Sequence, residues 1–147
     1  MIKAILHVTL LLLIHFPIFA SDIKSIDGNG VSIEAPKDIH ESPISVMQAA
    51  IEGYKFNDKK LIVEAIAPDI RQKMRDKIPD DPLNEANKWL RDKWGVPLSE
   101  VNINKITLKI IKDQGDKKEV DAQYNGKSSG DSARLIKIDG RWYIEHW

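Results

Sequence analysis

Few side chains beyond the first 20 residues could carry out acid–base chemistry. The two histidines there are His40 and His146, and imidazole has the ordinary pKa closest to neutral pH. His146 lies in the last predicted strand, where it either points into a pocket or faces solvent. Asp121 and Glu145 are candidate buried acids for proton transfer. The alternation of their strands, however, predicts that both carboxylates face water.

Metal and nucleophile chemistry have equally little support. Asp80 and Asp81 could suggest a metal pair, but Asp81 precedes Pro82 and is better explained as a helix cap. The sequence contains no cysteine, no activated-nucleophile motif and no His-Glu-x-x-His motif. We therefore expect no catalytic residues, no metal site and no cofactor.

The first 20 residues have the layout of a secretory signal peptide. Lys3 is followed by an apolar run from Ala4 to Phe16, then by Pro17 and a cleavage position after Ala20. The alternative is an uncleaved membrane anchor, but the run is interrupted by histidines and is shorter than the roughly 20 residues a spanning helix needs. We expect cleavage, no stable membrane anchor, and a periplasmic or secreted protein.

Composition narrows the class of protein. The chain has 22 basic and 22 acidic residues, and removal of the segment that contains Lys3 leaves one more acidic than basic residue. Nucleic-acid-binding proteins carry a strong basic excess, so we expect no nucleic-acid partner. An exported chain without cysteine must also fold without disulfides.

Residues 21–41 predict a flexible N-terminal arm, and residues 42–147 a single domain. The arm contains at most one short strand, Val31 to Glu34. Helices follow. Ser42 and Pro43 begin the first, Asp58 can cap a second, Pro68 restarts a third, and Asp81 and Pro82 begin a fourth that ends at Gly95. The third places Ile70, Met74 and Ile78 inward.

After Gly95 the apolar period changes from that of a helix to that of a strand. Ile106, Leu108 and Ile110 alternate with polar residues, and so do Val120, Ala122 and Tyr124. Turn residues at 114–116, 125–126 and 139–140 separate four strands. The pattern predicts an α+β fold in which N-terminal helices pack against an antiparallel sheet of about four strands.

This organisation resembles the NTF2-like superfamily, which includes cystatin-like, SnoaL and ketosteroid-isomerase folds. The resemblance rests on the helices placed first, on the segment "NDKKLIVEAIAPD", and on the terminal hairpin "ARLIKIDGRWYIEHW". It implies a curved sheet that wraps around the first helix as a cone. In such a cone the last strand would be interior, with Trp142 and Ile144 on one face and Tyr143 and Trp147 on the other.

The resemblance also implies where a ligand would bind, at the mouth of the cone. The candidate ligand-binding residues are Tyr54, Trp89, Tyr124 and Trp142, and the alternative is that these aromatic rings are core. A second candidate surface is the polar face of the sheet, with Lys105, Lys109 and Lys137.

Two hypotheses about function follow. The first is an exported, non-catalytic binding or protein-interaction domain, whose partner is a small molecule, a protein, or a second copy bound through the sheet. The alternative is a small enzyme of the isomerase or dehydratase type that acts on an apolar ligand in the cone. Superfamily membership does not separate the two, because this fold carries many functions.

Overall fold

The computed structural model describes residues 25–26, 32–33 and 38–147. The expected signal peptide lies outside the described residues. The predicted arm contains two short strands and not at most one as expected: β1 (Ser25–Ile26) and β2 (Ser32–Ile33), which pair antiparallel. No helix in the described part of the chain is long and apolar enough to cross a bilayer.

Four helices begin where the sequence predicts them. They are α1 (Pro43–Lys55), α2 (Lys59–Ala65), α3 (Pro68–Arg75) and α4 (Pro82–Trp94). The side chains of Ser42, Asp58 and Asp81 accept hydrogen bonds from backbone N–H groups in the first turns of α1, α2 and α4. Such caps satisfy donors that a helix leaves unpaired. Gly95 ends α4 at φ 81°, a left-handed conformation that favours glycine.

The second half of the domain is an antiparallel sheet. Its strands are β3 (Ile106–Gln114), β4 (Lys117–Tyr124), β5 (Lys127–Ser128), β6 (Ala133–Ile138) and β7 (Arg141–His146). The order is β3-β4-β6-β7, and the two-residue β5 also pairs with β4. The predicted α+β class is confirmed: helices pack against a curved sheet that does not close.

The position of β7 corrects the sequence-based prediction. It is an edge strand, not an interior one. Its free edge is nevertheless covered, because the Trp142 N–H donates to the His40 carbonyl at 2.9 Å and the Ala67 N–H donates to the Ile144 carbonyl at 2.9 Å. The aromatic content of β7 therefore reflects packing on its faces, and two distant segments replace a neighbouring strand.

Two adjoining clusters form the core. The first lies between α1, α2 and the sheet and contains Val46, Met47, Leu135, Trp142 and Ile144. The second lies between α1, α4 and the sheet and contains Ile51, Leu90, Trp94, Leu98 and Val101.

Trp147 corrects a second expectation. The predicted alternation places it on the face opposite Ile144, whereas its half-buried side chain packs against both core clusters. Tyr143 does lie on the other face, where its ring is 4.4 Å from that of His40. Trp147 follows the end of β7, so strand alternation does not fix its direction.

Candidate functional site

A cavity of about 550 Å³ lies against the second core cluster. Its volume is within the range of about 300–1,000 Å³ that is typical of small-molecule sites. The apolar part of its wall comes from α1, α4, the segment that follows α4, and β4. These aliphatic residues are Ile51, Ala86, Leu90, Leu98 and Ala122, and Pro79 from the connection between α3 and α4 also lines the cavity.

Four aromatic side chains line this aromatic cavity: Tyr54, Trp89, Trp94 and Trp147. Three of the four tryptophans of the chain therefore face one space. The Tyr54 and Trp147 rings meet edge to face, with centroids 5.5 Å apart and planes at 79°. Edge-to-face contact is a favoured arrangement of aromatic pairs, so it fixes both rings in the wall.

Local sequence explains how these rings are positioned. Tyr54 follows Gly53 on α1, and a Cβ at Gly53 would come within 2.6 Å of Ile62 Cγ1 on α2. The absence of a side chain at Gly53 thus allows the two helices to approach closely. On α4, Ala86, Leu90 and Trp94 lie on one buried face, whereas Trp89 is half-buried beside it.

Polar groups occur mainly around the rim of the aromatic cavity. Lys77, Glu85 and Asp131 are exposed and form the rim, whereas Ser129 is buried in the wall. Glu85 is 2.7 Å from the Lys88 ammonium in an exposed pair within α4. The buried Ser129 hydroxyl donates to the Asp131 carbonyl at 3.1 Å. The rim therefore places two carboxylates and one ammonium around a mainly apolar interior.

Two groups in the aromatic wall show the effect of burial. Burial raises the pKa of Tyr54 above its usual value of 10.0. The Trp94 indole N–H is buried and has no acceptor among the described residues. Leaving such a donor unpaired costs about 1–3 kcal/mol. Protein atoms enclose this nitrogen, so a ligand in the cavity reaches it only after a local rearrangement.

A smaller cavity, of about 70 Å³, adjoins the aromatic cavity. Tyr54, Lys77 and Trp147 line both spaces. The wall of this aliphatic cavity includes six aliphatic side chains: Ile62, Ile66, Ile70, Met74, Ile78 and Ile144. The predicted inward face of α3 therefore borders this space, although its residues Ile70 and Met74 are half-buried and not fully buried.

The four sequence-predicted ligand residues separate into two groups. Tyr54 and Trp89 line the aromatic cavity. Tyr124 does not line it; its ring lies 5.7 Å from that of Trp94, which does. Trp142 belongs to the first core cluster, where the Lys118 and Lys137 ammonium groups lie 5.5 Å and 5.8 Å from its ring centroid.

Sequence reasoning missed Trp94 and Trp147 as cavity residues. Trp94 is in the buried stripe of α4, and the helical period cannot distinguish a core residue from one that borders a cavity. Lys137 also differs from expectation. It lies directly across from Trp142 in the β6–β7 register, on the core side of the sheet and not on the polar face.

Asp121 is not exposed, contrary to the prediction from strand alternation. Its relative exposure is 7%. The carboxylate accepts hydrogen bonds from Gln123 Nε2 at 2.8 Å and from Ser128 Oγ at 2.7 Å. The chain folds back after β4 and brings Ser128 onto this carboxylate, which alternation within β4 alone does not reveal. Asp121 lines neither cavity.

The other candidate acid–base groups, His40, Glu145 and His146, do not lie in the aromatic cavity. His40 is buried at 3% exposure, with Nδ1 2.8 Å from the Trp142 carbonyl. A carbonyl oxygen can only accept a hydrogen bond, so Nδ1 must carry the proton and His40 donates to the edge of β7. Glu145 and His146 border the aliphatic cavity, and Glu145 is 3.7 Å from the Lys117 ammonium.

The adjacent Asp80 and Asp81 carboxylates have separate partners. Asp80 is exposed and 2.9 Å from the Lys59 ammonium, which holds the pKa of that carboxyl below its usual value. Asp81 caps α4 through Asn84. Across the described ranges, no three His, Cys, Asp or Glu side chains are grouped so that they could hold a metal ion.

Comparison of the chain with protein families, with characterised proteins and with solved structures found no match.

Proposed function

We propose that this chain is an exported, non-catalytic binding protein of the NTF2-like type, and that the aromatic cavity binds a small, mainly apolar molecule. The observation that supports this most strongly is the concentration of aromatic side chains around one open space of about 550 Å³. Ligand sites are typically concave and apolar, with a few polar groups that orient the ligand. The rim residues Lys77, Glu85 and Asp131 provide such groups.

Cavity filling tests this proposal. Replacing Ala86 with Phe puts a ring into the aromatic cavity, whereas Asn84→Phe adds the same ring on an exposed position of α4. The neutral fluorescent probe N-phenylnaphthylamine should bind the wild type and Asn84→Phe equally, and Ala86→Phe weakly or not at all. Equal binding by all three proteins would show that the aromatic cavity is not the binding site.

The enzymatic alternative is an isomerase or dehydratase that acts on an apolar ligand in the same cavity. It needs a titratable group that contacts the ligand. Asp121 is unsuited to that role, because it lies outside the cavity lining and its carboxylate is held by Gln123 and Ser128. We expect Asp121→Asn to leave ligand binding unchanged. Conversion of a substrate that depends on Asp121 or His146 would favour the enzyme.

Export is the second part of the proposal. It rests on Lys3, the apolar run from Ala4 to Phe16, and the Pro17 to Ala20 segment that follows. The intact mass of the exported protein should correspond to a chain that begins at Ser21. A product that retains Met1 in the membrane would contradict this part.

A specific observation supports protein interaction as a second function. The edge strand β3 carries Ile110 and Ile111, which are 39% and 52% exposed. An edge strand has backbone groups free to pair with another chain. We propose that a second copy pairs through this edge, so that the homodimer covers both isoleucines.

A further inference from the structure

The walls of the aromatic cavity have an electrostatic preference of their own. The face of an aromatic ring is negative and its edge is positive, so ring faces attract cations and disfavour anions. Tyr54, Trp89, Trp94 and Trp147 border this one space. A positively charged group that met the faces of several of these rings would be attracted by each of them. Burial of apolar surface alone gives no such selectivity for charge.

The rim adds a second, independent preference of the same sign. The acidic residues Glu85 and Asp131 line the cavity, against one basic lining residue, Lys77. Lys88 offsets part of the Glu85 charge, but that pair is exposed and therefore screened by solvent. Asp131 has no ion-pair partner within 4.0 Å among residues 38–147. The Lys93 ammonium lies beside the neighbouring Gly130 and offsets part of the Asp131 charge from the solvent side.

Lys77 is the opposing charge that lines the cavity itself. Its side chain is exposed, and it lies just beyond the end of α3, where the aromatic and aliphatic cavities meet. A long lysine side chain at such a position can keep its ammonium in water. Lys77 should therefore weaken the binding of a cation without reversing the preference.

Directed hydrogen bonding does not offer an equally strong alternative. The Ser129 hydroxyl already donates to the Asp131 carbonyl, and the Trp94 indole nitrogen is enclosed by protein. The Tyr54 hydroxyl and the indole nitrogens of Trp89 and Trp147 are the remaining polar atoms of the aromatic wall. They are too few for a ligand that is recognised mainly through many hydroxyl groups. The ring faces are the principal recognition surface.

From these two preferences we infer that the natural ligand is an organic cation, with a quaternary or tertiary ammonium group held against the ring faces and turned toward Asp131 and Glu85. This inference rests on the proposed function, because it specifies the class of ligand for the same cavity. It excludes anionic amphiphiles such as fatty carboxylates as the favoured class.

A pair of isosteric probes tests the sign of the charge directly. Choline and 3,3-dimethylbutan-1-ol (dimethylbutanol below) have the same shape, but in the alcohol a carbon atom replaces the charged nitrogen. Titrations of the purified protein, followed by tryptophan fluorescence, should show choline binding about tenfold more tightly. Equal or tighter binding of the neutral alcohol would overturn the inference, and so would the absence of choline binding.

Three substitutions add predictions that a merely apolar cavity would not meet. Trp89→Leu keeps apolar surface but removes an aromatic ring. It should therefore weaken the binding of choline and leave the binding of dimethylbutanol unchanged. Asp131→Asn should weaken the binding of choline but not that of dimethylbutanol, and Lys77→Gln should strengthen the binding of choline. Asp116→Asn, an isosteric change in the exposed β3–β4 turn, is the matched control and should change nothing. If Asp131→Asn and Asp116→Asn act alike, the rim charge has no part in recognition.

Failure of this inference is distinguishable from failure of the proposed function. N-phenylnaphthylamine reports occupancy of the cavity without a charged group. If this probe binds and dimethylbutanol displaces it as well as choline does, the cavity binds ligands but the cation assignment is wrong. If neither the neutral probe nor choline binds, both the assignment and the proposed function are wrong.

Discussion

The rings of Tyr54 and Trp147 meet edge to face with centroids 5.5 Å apart, although the residues lie at the end of the first helix and at the last position of the sequence. Both rings line the aromatic cavity and the aliphatic cavity. The end of the chain is thus part of the candidate site as well as part of the packing.

Removal of residues 144–147 tests how far the fold depends on this terminus. The deletion takes away Ile144, which is 4% exposed and accepts a hydrogen bond from Ala67, together with Trp147. Each large side chain contributes roughly 1.5–3 kcal/mol when buried, and ordinary domains have a free energy of unfolding of about 5–15 kcal/mol. We expect a largely unfolded product by circular dichroism. A cooperative melting transition near that of the wild type would mean that the end of β7 is dispensable.

Gly53→Ala tests the close approach of α1 and α2. The new Cβ would meet Ile62 Cγ1 at 2.6 Å and two backbone atoms at 3.1 Å. Overpacking of this kind typically costs about 1–3 kcal/mol, which denaturant unfolding would detect. Ile62→Ala is itself destabilising because Ile62 is buried. The double variant Gly53→Ala with Ile62→Ala should nevertheless lose less stability than the sum of the two single losses. A single variant as stable as the wild type would show that the helices separate freely.

The contact between Asp38 and Arg141 predicts a pH dependence. The His40 backbone N–H, followed by the Arg141 guanidinium, lowers the pKa of Asp38 from its usual value of 3.8. A carboxyl group whose pKa is lower in the folded state than in the unfolded state stabilises the fold at pH values above its unfolded-state pKa. This stability is lost as the pH falls through the folded-state pKa. Asp38→Asn should therefore reduce stability at neutral pH and have less effect in strong acid. Because both side chains are about half exposed, the effect should be small and should diminish with salt.

The exposed isoleucines of β3 give a prediction about assembly. If the edges of two β3 strands pair, Ile111→Lys should shift the protein toward monomer in sedimentation velocity. Phe56→Lys is the matched control, because Phe56 is 66% exposed but lies at the end of α1, away from the sheet edge. A wild type that is monomeric at high concentration would contradict pairing. In that case Lys109, Lys112 and the bulge between Ile110 and Lys112 protect this edge from association.

Local features were predictable from the sequence because local chemistry determines them. Ser42, Asp58 and Asp81 cap helices through residues three positions away, and Gly95 ends α4 through its own backbone conformation. The α+β class followed from the change in apolar period after Gly95.

Contacts between distant segments were not predictable in the same way. The His40 carbonyl covers the edge of β7 at a separation of about 100 residues, and Ser128 covers Asp121 through a chain reversal. The resemblance to a cone-shaped fold implied Tyr54 and Trp89, which line the aromatic cavity, and also Tyr124 and Trp142, which do not. Trp147 was not predictable as a cavity residue, because its direction depends on two core clusters built from the whole domain.

Ligand binding in the aromatic cavity is tested most directly by titration of the wild type, Trp89→Ala and Phe56→Ala with N-phenylnaphthylamine. Trp89 lines the cavity, whereas Phe56 is an exposed aromatic outside it. Melting temperatures measured in parallel separate lost binding from lost folding. We expect saturable binding by the wild type and by Phe56→Ala, and binding about tenfold weaker by a folded Trp89→Ala, because a large apolar contact is removed. Unchanged binding by a folded Trp89→Ala, or no binding by the wild type, would contradict the account.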